Sequence, residues 1–125
     1  MTPLLFLVIA LAGGLGAVAR LLLNDLVHSR AVAGFPFGTF LVNVSGSLSL
    51  GFVAGIAASQ LVPEPLAFIV GAGFLGGYTT FGTASYDTVL LLERRRYRAA
   101  LLNGVGMLVV CTGAAALGLL LASAF

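Results

Sequence analysis

Four long stretches without a charged residue constrain this chain more than any other feature of its sequence. They are Thr2–Ala19, Ala31–Pro63, Pro65–Tyr86 and Ala99–Phe125. A helix that crosses the hydrocarbon core of a bilayer needs about 20 mostly apolar residues. We therefore predict an all-α membrane protein with four transmembrane helices, near residues 4–23, 37–58, 66–86 and 99–122.

The composition agrees with a small membrane protein and leaves room for a single domain, residues 1–125. Hydrophobic residues make up 60% of the chain and charged residues 8%, and the mean hydropathy is +1.14. A soluble domain of this length needs much more polar surface. The first stretch lacks the basic segment of a signal peptide, so we interpret it as a retained span. A net charge of +2 is too small to indicate a nucleic-acid partner.

The basic residues are all arginines, and they favour one side of the membrane. All six lie on or near the connections between helices 1 and 2 and between helices 3 and 4: Arg20, Arg30, Arg94, Arg95, Arg96 and Arg98. Cytoplasmic loops carry an excess of basic residues. The chain is therefore predicted to be a multi-pass membrane protein with both termini outside and both arginine-bearing connections in the cytoplasm.

The third stretch contains the polar segment GGYTTFGTASYD, residues 76–87. The Gly76-Gly77 and Thr79-Thr80 pairs predict an interrupted helix. Irregular backbone at membrane depth is tolerated only where it is buried in protein or lines a cavity. Carbonyls released by such a break can coordinate a cation, and released amides and hydroxyls can receive an anion.

The second stretch carries Asn43, whose amide needs partners that its own helix cannot supply. A hydrogen bond between helices and a role in transport fit this residue equally well. Glycines also recur at four-residue spacing, at Gly51 and Gly55 and at Gly73 and Gly77. Such spacing allows helix backbones to approach closely in lipid, so we predict a tightly packed bundle.

Three segments resemble the signature blocks of the Fluc (CrcB) fluoride channels. They are GGLGAVAR (13–20), FPFGTFLVNVSGS (35–47) and GFLGGYTTFGTASYD (73–87). The chain is also similar to this family in its length and in its four-helix plan. The resemblance implies an antiparallel, dual-topology dimer in the plasma membrane of a prokaryote, with two fluoride pores along the subunit interface. It also implies a structural sodium ion at the dimer centre.

The resemblance further implies which residues form these sites. The main-chain carbonyls of Gly76 and Thr79 in each subunit would hold the sodium ion. Phe81 would present its electropositive ring edge to fluoride. The other residues assigned to the fluoride pore by the resemblance are Asn43, Thr39, Thr80, Thr83, Ser85 and Arg20.

Several positions depart from the family pattern. The family's TTFSTFS is TTFGTAS here, so that Gly82 replaces a serine and Ala84 replaces a phenylalanine, and Asp87 stands where glutamate is usual. In the fourth helix the family has a tyrosine followed by serines at four-residue spacing. The corresponding residues here are Asn103, Met107 and Cys111. On this alignment the subunit lacks much of the polar lining of one pore.

These observations leave one leading function and two alternatives. The leading function is a fluoride channel subunit that acts by passive efflux. The first alternative is a non-conducting or half-degenerate subunit that pairs with a paralogous chain of opposite arginine bias. The second is a small multidrug transporter, which requires a carboxylate within the membrane. The first helix has no acid there, and we expect Asp87 at the end of the third. No nucleophile–base pair indicates an enzyme.

Overall fold

The computed structural model describes residues 2–28 and 34–125, and within these ranges it contains helices and no strands. Four helical spans are long and apolar enough to cross a membrane: Pro3–His28, Phe37–Ala58, Glu64–Glu93 and Tyr97–Ala122. The first two are continuous α-helices, α1 and α2. The prediction of an all-α protein with four membrane spans is confirmed.

The third and fourth spans are divided into shorter helical elements. The third span consists of α3 (Glu64–Phe68), a π-helical segment (Ile69–Leu75), α4 (Gly76–Tyr78) and α5 (Phe81–Glu93). The fourth consists of α6 (Tyr97–Leu101), a π-helical segment (Leu102–Gly106) and α7 (Met107–Ala122). Stretches of π-helix are frequent at functional sites, so their position in these two spans directs attention to the space between them.

Two helices extend well beyond the predicted ends. The first continues to His28 instead of ending near residue 23, and α5 continues to Glu93 instead of ending near residue 86. Charged side chains do not end a helix by themselves, because the backbone bonds continue while the side chains reach toward water. Asp87 therefore lies more than one turn inside α5, and its expected place at the end of the helix is wrong.

The connection between the first two spans meets the connection between the last two at one end of the bundle. The Arg96 guanidinium donates a hydrogen bond to the Gly34 carbonyl. Gly34 has a φ of +120°, a conformation that glycine adopts without strain. Arg30, which contributed to the predicted orientation, lies outside the described residues.

Glycines bring the backbones of α2 and α7 into direct contact. A methyl group added at Gly51 would lie 2.0 Å from the Ala115 carbonyl oxygen, and one added at Gly118 would lie 2.1 Å from the Leu48 carbonyl oxygen. Both distances are far below a van der Waals contact. The predicted close packing is therefore present between the second and fourth spans.

A second set of glycines brings α1 against the third span. A methyl group added at Gly16 would lie 2.0 Å from the Phe74 carbonyl oxygen, and one added at Gly77 would lie 2.0 Å from the Gly13 carbonyl oxygen. Gly76 differs from its neighbour, because the nearest atom to such a methyl group is 3.8 Å away. Close approach within one subunit thus depends on Gly77, while Gly76 is exposed.

The contact at Gly118 gives a stability prediction with a control on the same helix. Gly118→Ala should lower the free energy of unfolding by about 1–3 kcal/mol, because the methyl group forces α2 and α7 apart. Gly113→Ala should be neutral or slightly stabilising, because no atom lies within 4 Å of the added methyl group. Thermal unfolding in detergent compares the two variants. Equal melting temperatures would contradict this account of the packing.

Candidate ion pathway

The third span is interrupted at Thr79 and Thr80, which join α4 to α5 in an extended conformation. Thr79 has φ −76° and ψ 161°, and Thr80 has φ −152° and ψ 122°. The Thr80 hydroxyl accepts a hydrogen bond from the Thr83 N–H at 3.2 Å and so caps the start of α5. Gly76 and Gly77 are themselves helical. The break therefore follows the glycine pair instead of including it.

Asn43 on α2 supplies the hydrogen bonds that the interrupted backbone loses. Its Oδ1 accepts from the Thr80 N–H at 2.8 Å, and its Nδ2 donates to the Thr80 carbonyl at 2.8 Å. In a continuous α-helix the Thr80 N–H would donate to the Gly76 carbonyl. The Asn43 amide therefore releases the Gly76 carbonyl from the helical pattern. Of the two interpretations of Asn43, the hydrogen bond between helices is present.

Two further contacts fix α4 and the break against α2, and a third lies within the third span. The Tyr78 and Ser45 hydroxyls lie 3.0 Å apart. The Thr79 hydroxyl donates to the Leu75 carbonyl at 3.0 Å. The Thr79 methyl group occupies the space beside Gly46, where an added methyl group would lie 2.3 Å from it. The side chain of each residue in YTT thus has a partner, because the Thr80 hydroxyl pairs with Thr83. Asn43 holds the backbone of Thr80.

Arg20 reaches the same break from α1. Its Nη1 donates to the Thr79 carbonyl oxygen at 3.1 Å, across 59 residues of sequence. Gly13, Gly16 and Arg20 lie on one face of α1, since residues three, four and seven apart share a helix face. The close contacts at Gly13 and Gly16 therefore place Arg20 beside the break.

A groove of about 540 Å³ runs beside the break. It is lined by four of the residues assigned to the fluoride pore, namely Asn43, Thr80, Phe81 and Ser85, and by Ala84. Five residues of the fourth span line the same groove, and Asn103, Met107 and Cys111 are among them. Phe81 is 88% exposed, so its ring lies on the surface of the subunit beside the groove.

Two hydroxyl groups of α5 along this groove donate to carbonyls of their own helix. The Ser85 hydroxyl donates to the Phe81 carbonyl at 2.9 Å, and the Thr88 hydroxyl donates to the Ala84 carbonyl at 2.8 Å. Asn103 is only 1% exposed, and its Nδ2 donates to the Ala84 carbonyl and the Thr88 hydroxyl. Its Oδ1 is buried without a hydrogen-bond partner. These donors are therefore engaged within the protein along this part of the groove.

Two of the residues assigned to the pore, Thr39 and Thr83, line a different cavity. This polar cavity of about 430 Å³ lies between the end of α1, the start of α2 and α5. Its charged and titratable side chains are Asp25, His28, Asp87 and Arg94. The Thr39 hydroxyl lies 3.1 Å from Asp87 Oδ2 and donates to it. The Thr80 and Thr83 hydroxyls, 3.1 Å apart, connect the polar cavity with the groove.

Sequence reasoning missed the partners of several site residues. Met107 departs from the polar pattern of the family, yet its sulfur lies 3.2 Å from Asn43 Nδ2 and accepts a hydrogen bond. The four-residue spacing of Asn103, Met107 and Cys111 was the available signal, because it places all three on one helix face. In the described part of the chain, no three His, Cys, Asp or Glu side chains group into a metal site.

Residues 7–119 match the family described as CrcB-like protein, Camphor Resistance (CrcB). The chain belongs to the CrcB family. The recognition of that family from three sequence blocks is therefore confirmed. CrcB membership also decides against a multidrug transporter and confirms that the chain is not an enzyme.

Curated relatives of this CrcB-family chain are named as channels. It is 56% identical over 119 residues to Fluoride-specific ion channel FluC 1 of Leifsonia xyli subsp. xyli, covering 95% of this chain and 87% of the relative. It is 44% identical over 120 residues to Fluoride-specific ion channel FluC 2 of Cutibacterium acnes, covering 92% and 94%. It is 40% identical over 120 residues to Fluoride-specific ion channel FluC of Solibacter usitatus, covering 94% and 97%.

The bonds of Asn43 predict that this residue matters for stability as well as for transport. Asn43→Leu should lower the free energy of unfolding by about 1–3 kcal/mol, because it leaves the Thr80 N–H and carbonyl without partners. Ser47→Ala is the matched control, since Ser47 lines the same groove from the same helix. Thermal unfolding of both purified variants gives the comparison. A melting temperature for Asn43→Leu equal to that of Ser47→Ala would show that the break does not depend on Asn43.

Proposed function

We propose that this CrcB-family chain is a subunit of a fluoride-selective channel that lowers cytoplasmic fluoride by passive efflux through the plasma membrane. The observation that carries the proposal is the groove beside the broken helix, with Phe81, Thr80 and Ser85 along it. The relatives named as fluoride-specific channels, one of them 56% identical, support the choice of ion.

The chemistry of the groove suits a small anion that is strongly hydrated. The edge of an aromatic ring is electropositive, so Phe81 can attract an anion without the full charge that would trap it. Ser85 bonds back to its own helix, and such a bond adds little stability, so the hydroxyl can rotate toward an ion. The remaining donors would come from a second subunit over the exposed Phe81 ring. An antiparallel dimer provides that cover.

The break also suits the structural sodium ion that we propose at the dimer centre. Sodium is a hard cation, for which oxygen atoms are the suitable ligands. The Thr80 N–H, which would bond the Gly76 carbonyl in a continuous helix, donates to Asn43 instead. Gly76 also has no side chain to obstruct a second subunit. The Thr79 carbonyl accepts one hydrogen bond from Arg20 and keeps a second lone pair. These two carbonyls would hold the ion, which would join the subunits and not be transported.

A specific observation favours the alternative of a heterodimer with one degenerate pore. Asn103 and Ala84 replace a tyrosine and a phenylalanine of the family pattern, and the Asn103 amide bonds the Ala84 carbonyl directly. That contact joins the π-helical segment of the fourth span to α5 across the groove. A chain whose arginines favour one orientation would form an antiparallel dimer with a paralogous chain of opposite bias.

Fluoride flux tests the proposed function. Liposomes that contain the purified chain, with its paralogous partner where one is required, should release fluoride and retain chloride. Phe81→Ile should reduce fluoride release by about tenfold or more, because it removes the ring edge and retains much of the bulk. Phe6→Ile is the control, since Phe6 is also an exposed phenylalanine but lies on α1, away from the groove. Equal release of both ions would refute a fluoride-selective channel.

Orientation gives an independent prediction. The arginine distribution should place the C-terminus outside the cell in nearly all molecules. A C-terminal cysteine tag in intact cells should then react with a membrane-impermeant thiol reagent, once Cys111 has been replaced by serine. Labelling of about half the molecules would instead indicate dual insertion. That result would support a homodimer and overturn the requirement for a paralogous partner.

A further inference from the structure

Arg20 is held in place by the backbone contacts of α1. Gly16 lies against the Phe74 carbonyl and Gly13 against Gly77, and neither contact has room for an added methyl group at Gly16 or Gly77. Arg20 is one helical turn beyond Gly16 on the same face. The closely packed backbone of α1 therefore fixes where the guanidinium meets the Thr79 carbonyl.

The charge of Arg20 is not neutralised by this contact. Its partner at 3.1 Å is a backbone carbonyl, which carries only a partial negative charge. Arginine keeps its proton under all ordinary conditions, so the positive charge is permanent. A fixed cation thus lies on the oxygen of Thr79, one of the two carbonyls expected to hold sodium.

Two cations that share one carbonyl oxygen oppose each other. A sodium ion bound to the Thr79 oxygen would lie within a few ångströms of the Arg20 guanidinium. Like charges at such a distance, away from bulk water, repel strongly enough to weaken binding by about tenfold or more. We propose that Arg20 is a built-in cation that competes with sodium for the Thr79 carbonyl and so sets the sodium concentration that the dimer requires.

This inference rests on the sodium site of the proposed function. Arg20 could instead assist sodium binding, and the two roles predict opposite changes in sodium affinity when Arg20 is replaced. If Arg20 only orients the Thr79 carbonyl, its removal would weaken sodium binding. If Arg20 competes with sodium, its removal would strengthen binding, although the protein without sodium would be less stable. The sodium concentration at half-maximal stabilisation therefore distinguishes competition from a purely structural role.

The test is a thermal unfolding titration of the purified dimer. Sodium chloride replaces choline chloride at constant ionic strength, so that general screening does not change. Arg20→Gln should shift the half-maximal sodium concentration down by about tenfold or more. Arg20→Lys retains the charge and is the control, with a midpoint close to that of the unsubstituted protein. An unchanged or higher midpoint for Arg20→Gln would overturn the proposal, as would the absence of any sodium effect.

A titratable variant keeps the test decisive if Arg20→Gln does not fold. In Arg20→His the sodium midpoint should rise as the pH falls from about 8 to about 5, the range in which an imidazole gains its charge. A midpoint independent of pH in this variant would overturn competition. Fluoride release by the unsubstituted dimer is measured separately in the same preparation. If fluoride release is not selective but the half-maximal sodium concentration still shifts, the channel function is refuted and the competition by Arg20 stands.

Discussion

The two hydrogen bonds between Asn43 and Thr80 are the interaction on which the rest of this site depends. A broken helix inside a bilayer exposes backbone groups that lipid cannot satisfy. Asn43 matches both groups of one residue with one amide, at 2.8 Å each. The break can therefore persist at membrane depth, and the Gly76 carbonyl is free of its helical donor as a consequence. An aspartate would retain the acceptor but lose the donor, so only an amide satisfies both sides of Thr80.

Close backbone packing at glycines determines which groups reach this break. Lipid does not drive helices together as water does, so close backbone contact at glycines supplies much of the association. The contacts of Gly16 and Gly77 fix the position of α1, and this position brings Arg20 to Thr79. The contacts of Gly51 similarly hold α7 against α2. The same small residues that stabilise the bundle thus determine the electrostatics of its centre.

The sequence was sufficient for the number of spans but insufficient for their ends and for the partners within the site. Charge-free windows locate hydrocarbon-spanning segments, whereas the end of a helix depends on backbone bonds that continue past a charge, as they do before His28 and Glu93. The four-residue spacing of Asn103, Met107 and Cys111 agrees with their shared place along one groove. Single contacts across 37 or 59 residues, those of Asn43 and Arg20, leave no local pattern to detect.

The hydrogen bonds along the groove indicate what a second surface would have to supply to an anion. An anion requires hydrogen atoms, and the Ser85 and Thr88 hydroxyls, which bond carbonyls of their own helix, would have to rotate to offer theirs. The Asn103 amide gives both of its hydrogens to α5 as well, and its oxygen is buried without a partner. The exposed Phe81 edge therefore remains the groove's most favourable feature for an anion. An anion path through this groove would gain most from donors on a second surface, and the proposed channel would combine those donors with the Phe81 ring edge.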